Sequence, residues 1–133
     1  MRVGYERWSL STAPGWHARY DPECITITPS ANTAALQLSS SVKTDGIVAD
    51  AEMQKLAGRQ PDLMGSPSAV TFGQFRGLSV SYTEDDIYWH RFWLAHGNIL
   101  IFATYNGSIE CRASHEPAVL SMLESLQPEH ADA

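Results

Sequence analysis

The sequence predicts an α+β domain: a mainly antiparallel β-sheet of about seven or eight strands with two covering helices. Three observations carry this. Short alternating or β-branched segments separated by turn residues follow one another from Tyr5 to Val42. The run from Gly77 to Asn106, GLSVSYTEDDIYWHRFWLAHGNILIFATYN, reads as consecutive antiparallel strands joined by tight turns. Apolar residues recur at helical spacing only after Thr44 and after Ser114. Strands therefore come in groups instead of alternating with helices, which argues against a parallel sheet.

Tyr5 to Leu10 reads as the first strand, closed by Ala13-Pro14-Gly15. Trp16 to Tyr20 alternates apolar and polar and ends at Asp21-Pro22-Glu23. Cys24 to Thr28 is β-branched, and Pro29 stops it. After the polar turn Ser30 to Thr33, the segment through Val42 alternates with Ala34, Leu36, Leu38 and Ser40 on one face. These segments form a predicted antiparallel meander. The first helix has Thr44 and Asp45 as candidate N-caps and a stripe of Ala49, Met53, Leu56 and Ala57 up to Gly58. Arg59 to Ser68 reads as a loop, and strand character resumes from Ala69 to Phe75. The last helix is expected from about Glu116 to Leu126, with Ser114 as N-cap and Pro117 in its first turn. Val119, Leu120, Leu123 and Leu126 are its stripe. One domain thus spans 1–128, followed by a polar tail at 129–133.

Turn lengths set the register of the central meander. A two-residue loop at Gly97-Asn98 opposes His96 to Ile99, Trp93 to Phe102, Arg91 to Thr104 and His90 to Tyr105. A three-residue loop at Glu84-Asp85-Asp86 opposes Thr83 to Ile87, Tyr82 to Tyr88 and Leu78 to Phe92. Leu78, Val80, Tyr82, Tyr88, His90, Phe92, Leu94, Ile101 and Tyr105 then share a core face, the surface for both helices to cover. Trp89, Arg91, Trp93 and Phe102 fall on the other face with Ser79, Ser81 and Thr104. A solvated sheet face is normally polar, so something covers this one. Either the N-terminal strands or the 59–68 loop fold over it, or a partner does, since Trp, Tyr and Arg dominate interface energetics.

Composition narrows the function. Apolar residues at 44% and charged residues at 18% are globular values, and 133 residues make one domain. With nine Lys and Arg, no basic stripe and a net charge of −6, nucleic acid is not an expected partner. The N-terminal residues lack a signal-peptide core and no apolar run reaches membrane-span length, so a cytoplasmic chain without a membrane span is expected. Cys24 and Cys111 read as two reduced, packed thiols, with a single disulfide as the alternative. His17, His90, His96, His115 and His130 lack ligand spacing, so neither metal nor cofactor is expected. His90 reads as a hydrogen-bonded core histidine reaching Tyr105 or Tyr82, and His115 as part of a helix cap. Glu84-Asp85-Asp86 lacks the alternation of a calcium loop, and no serine elbow or phosphate loop occurs. No catalytic residue is expected.

The strand at Trp8-Ser-Leu10, the segment Ala35-Leu-Gln-Leu-Ser39, the Gly73-x-Phe75-x-Gly77 entry to the meander and the terminal Met122-Leu-Glu-Ser-Leu126 lie in one order along nearly the whole chain. In this order the chain resembles the small α/β/α sandwich proteins grouped with PsbP and the bacterial DcrB-like domains. The resemblance implies a mostly non-enzymatic protein-binding module, as in photosystem assembly subunits, a Ran-binding factor and chaperones of type VI secretion effectors. Many DcrB-like proteins carry an export signal or lipid anchor that is not found here. The expectation is a cytoplasmic adaptor, chaperone or immunity-type protein that binds a protein partner, or a second copy of itself, through Trp89, Arg91, Trp93 and Phe102. Two alternatives stand beside it. One is a small-molecule binder or minor enzyme using His90 and Tyr105 in a pocket between sheet and helix; the other is a structural homodimer subunit.

Overall fold

A computed structural model describes residues 1–5, 7–31, 33–57 and 67–129. In chain order its elements are β1 (Arg2–Tyr5), β2 (Trp8–Ser11), β3 (Trp16–Tyr20), β4 (Ile25–Pro29), β5 (Ala34–Val42), α1 (Asp50–Ala57), β6 (Ser68–Phe72), β7 (Phe75–Glu84), β8 (Ile87–His96), β9 (Ile99–Ser108), α2 (Arg112–Glu124) and β10 (Gln127–Pro128). A seven-stranded antiparallel sheet has the order β3-β4-β5-β9-β8-β7-β6, and a three-stranded sheet the order β1-β2-β10. The predicted α+β class holds. Most of the expected 59–68 loop, along with residues 130–133 of the tail, lies outside the described residues.

The N-terminal segment departs from the reading as one strand from Tyr5 to Leu10. It is a hairpin, with Tyr5 opposite Trp8 and Val3 opposite Leu10. Strand β2 therefore leaves the meander, which consists of β3, β4 and β5 alone. The physical reason is burial: Trp8 and Leu10 are fully enclosed over the large sheet, where they meet Ile101, Leu38 and α2's Leu123 in one core. The segment after α2 closes the small sheet. Gln127 and Pro128 pair with Ser9 and Trp8, and the Glu129 amide donates to the Arg7 carbonyl at 2.8 Å.

Both helices differ from expectation. The segment before α1 is held by hairpin β8–β9: the amides of Lys43 and Val48 donate to the carbonyls of Asn98 and Gly97, each at 2.8 Å. Thr44 and Asp45 therefore cap nothing, and α1 starts at Asp50, where the Glu52 carboxylate accepts from the Ala49 amide. Helix α2 starts at Arg112 after a 3-10 turn, so Pro117 lies inside it and the Ser114 hydroxyl donates back to the Cys111 carbonyl. The helices also do not share a face. Val119, Met122 and Leu123 of α2, with Leu126 just beyond its end, join the main core, whereas Met53 and Val48 pack on Ala95 from the opposite side.

Register differs at one hairpin. β8 and β9 pair as expected, including His96 with Ile99 and Trp93 with Phe102. The β7–β8 loop has two residues, not three: Glu84 opposes Ile87, while Asp85 and Asp86 have φ of 53° and 65°. Two left-handed residues make the twist-compatible turn that closes tight hairpins, and Asp tolerates that conformation. The one-residue slip moves every β7 side chain to the other face. Leu78, Val80 and Tyr82 leave the core face, and Ser79 enters it opposite Phe92. Because Asp86 sits at positive φ, Asp86→Gly is expected to raise stability by about 0.5–1 kcal/mol, read from the urea midpoint.

Candidate functional site: the aromatic and arginine face of the sheet

The slip enriches the face opposite the main core. Tyr82 lies across from Trp89, Val80 from Arg91, and Leu78 from Trp93. On the other side of β8, Arg91 opposes Thr104 and Trp93 opposes Phe102. All four expected binding residues therefore share this face, joined by three β7 residues that the sequence reading placed elsewhere. The signal for those was the Asp85-Asp86 pair, read as a two-residue turn.

Trp93 is 4% exposed and packs with Val80, Leu78, Phe102 and Leu56 of α1. Its ring lies 5.6 Å from Phe102 at 38°. This chain's own helix thus supplies the covering for Trp93. Trp89, Arg91, Tyr82 and Phe102 are half-buried. The Tyr82 and Trp89 rings lie parallel to within 5° at 6.1 Å. The Arg91 guanidinium sits 5.4 Å from the Trp89 ring centre and 5.8 Å from that of Tyr82, and donates to the Tyr82 hydroxyl at 3.1 Å. Such stacking holds the guanidinium plane in one orientation. From Phe102 the face continues into a shallow groove of about 160 Å³ lined by Cys24, Gln37, Ser39, Phe102 and Thr104.

The core face carries a second polar group, where α2 meets β8 and β9. Tyr105 hydrogen-bonds His115 Nδ1 at 2.9 Å, and the Tyr88 hydroxyl donates to Glu116 at 3.1 Å. Arg112 lies 3.5 Å from Glu116 and 4.2 Å over the Tyr88 ring. His115 thus ties the helix to the sheet instead of capping it. His90 stacks on Phe92 at 4.1 Å, and its Nδ1 lies 3.4 Å from the Tyr88 hydroxyl, so its tyrosine hydrogen-bond partner is Tyr88 and not the expected Tyr105 or Tyr82. Burial pushes Tyr105 up to about 12 and Tyr88 upward, so both hold their protons at neutral pH. Both cysteines are free thiols, and among the described residues no group of three or more His, Cys, Asp and Glu is placed to hold a metal ion.

Burial is the main cause that holds His90 below its ordinary 6.5; Glu116 opposes this and Arg112 adds to it. The unfolded chain then takes up the His90 proton more readily, so stability falls as pH drops through about 6.5. For Tyr105 the sign reverses: stability falls as pH rises from 10.0 towards about 12. Chemical denaturation against pH should show a plateau between these limits. His90→Gln should flatten its acid shoulder; an unchanged shoulder would place the titrating group elsewhere.

No family model and no curated protein matches this chain. Among solved structures it is similar to a protein from Bacteroides thetaiotaomicron VPI-5482, with a TM-score of 0.67 and 14% identity over 95% of this chain and 46% of that one. The chain therefore spans about half the length of that protein. It is also similar to the cyanobacterial PsbP protein CyanoP from Synechocystis sp. PCC 6803, with a TM-score of 0.52 and 12% identity over 96% of this chain and 91% of that one. At such identities the likeness shows the fold alone, and the fold is PsbP-like. No helix among the described residues is long and apolar enough to cross a membrane.

Proposed function

We propose that this chain is a non-enzymatic protein-binding module, an adaptor, chaperone or immunity-type protein of the cytoplasm. Its partner docks on the Tyr82, Trp89 and Arg91 stack and the adjoining Phe102 groove. The observation that carries this reading is the stack itself. A tryptophan, a tyrosine and an arginine are held by direct cross-strand pairing and cation–π contact, half-buried, on rigid strands. These residue types dominate binding energy when preorganised, because little side-chain freedom remains to be lost on association. Trp93 belongs to this site as its support, fixing β8 against α1 beneath the contact surface. A net charge of −6 favours a protein partner over nucleic acid. The non-enzymatic reading is supported at the other polar cluster, where the Tyr105 hydroxyl is engaged by His115 and burial opposes its ionisation.

A photo-crosslinking residue placed at Gln37, exposed beside the groove, tests the surface in cells. A discrete adduct with one other polypeptide, or with a second copy of this chain, is expected. The same residue at exposed Ser121 on α2 should give none. Equal adducts from both positions, or none from Gln37, would contradict the proposal.

A further inference from the structure

A separate cleft of about 390 Å³ opens between hairpin β1–β2 and the last residues of β5, lined by Tyr5, Arg7, Trp8, Ser40, Ser41 and Val42. Its volume is in the range of small-molecule sites. Its single cation has little to do within the protein. Among the described residues Arg7 Nε is enclosed and makes no hydrogen bond, while one terminal nitrogen donates to Asn98 Oδ1 at 3.5 Å. Among the described residues no carboxylate pairs with Arg7. An enclosed Nε–H left without an acceptor is unfavourable unless something else accepts it.

We propose that this cleft binds a small carboxylate with an apolar body. The Arg7 fork matches a planar carboxylate in geometry and in its single charge. A second donor is in place. Ser40 Oγ accepts the Trp8 indole N–H at 2.8 Å, which leaves its own hydroxyl proton to give to a ligand oxygen. The rest of the lining suits a hydrocarbon body: the Tyr5 ring, packed 5.7 Å from the enclosed Trp8 ring, and Val42, which is 41% exposed. A phosphate dianion would leave its second charge unmatched, because one cation lines the cleft.

Hexanoate is the probe, with hexanol and inorganic phosphate as controls, titrated into the whole protein by thermal shift and by two-dimensional amide NMR. Hexanoate should raise the melting temperature saturably and shift the Trp8 indole signal with the amides of Tyr5 and Ser40. Hexanol and phosphate should do neither. Arg7→Gln should weaken hexanoate binding about tenfold or more, the loss of a charge-assisted bidentate contact. Val42→Asp, at an exposed position that leaves the fold intact, should weaken it similarly by repulsion. Equal response to hexanol, tighter binding of phosphate, no saturable response to hexanoate, or unchanged affinity in either variant would overturn the assignment.

Discussion

Replacing Gly77 with alanine is expected to lower stability by about 4 kcal/mol or more, or to abolish the cooperative fold, although it adds one methyl group. Gly77 lies opposite Leu94 in the β7–β8 ladder, and a Cβ there would sit 1.7 Å from the Trp93 carbonyl oxygen. The obstacle is main chain in the middle of the sheet, so no rotamer change relieves it; the strands must separate. That separation would disturb Arg91 and Trp93 from below. Urea denaturation followed by circular dichroism measures the effect. Near-normal stability of Gly77→Ala would mean that the β7–β8 register is not the one described, and Tyr82 would then lose its place beside Trp89.

The second large effect separates two tryptophans that the sequence treats alike. Trp93→Ala is expected to cost about 3–5 kcal/mol, because it empties a site enclosed by Val80, Leu78, Phe102 and Leu56 and releases α1 from the sheet. Trp89→Ala, at a half-buried position, is expected to cost about 1 kcal/mol or less and to leave the melting transition cooperative. Equal losses from the two substitutions would place Trp89 inside a packed core and remove the basis for a binding surface there.

Much of the frame was legible in the sequence because local chemistry determined it. Gly97-Asn98 is a tight loop of permissive residues, and the β8–β9 register follows from it. The common face of Trp89, Arg91, Trp93 and Phe102 therefore needed no tertiary information. Tyr82 was missed because the acidic run was counted as a three-residue loop, although Asp85 and Asp86 both adopt left-handed backbone within a two-residue one. Other misses were tertiary. Nothing local announces that Lys43 and Val48 bond the β8–β9 turn and delay α1, or that Gln127 and Pro128 join β2 as an edge strand. The covering of the faces was misread for α1 as well: both helices carry one apolar stripe and were expected on the core face, but the sheet has two faces that accept one, and α1 takes the other.

The most direct test of the binding surface compares partner affinity and fold in one double variant. Trp89→Ala/Arg91→Ala removes the half-buried stack while keeping Trp93 and α1 in place. The affinity of the polypeptide crosslinked at Gln37 should then fall about a hundredfold or more, as the loss of two anchoring side chains implies. The melting temperature should stay within a few degrees of the unaltered protein. Undiminished affinity in a folded double variant would contradict the account.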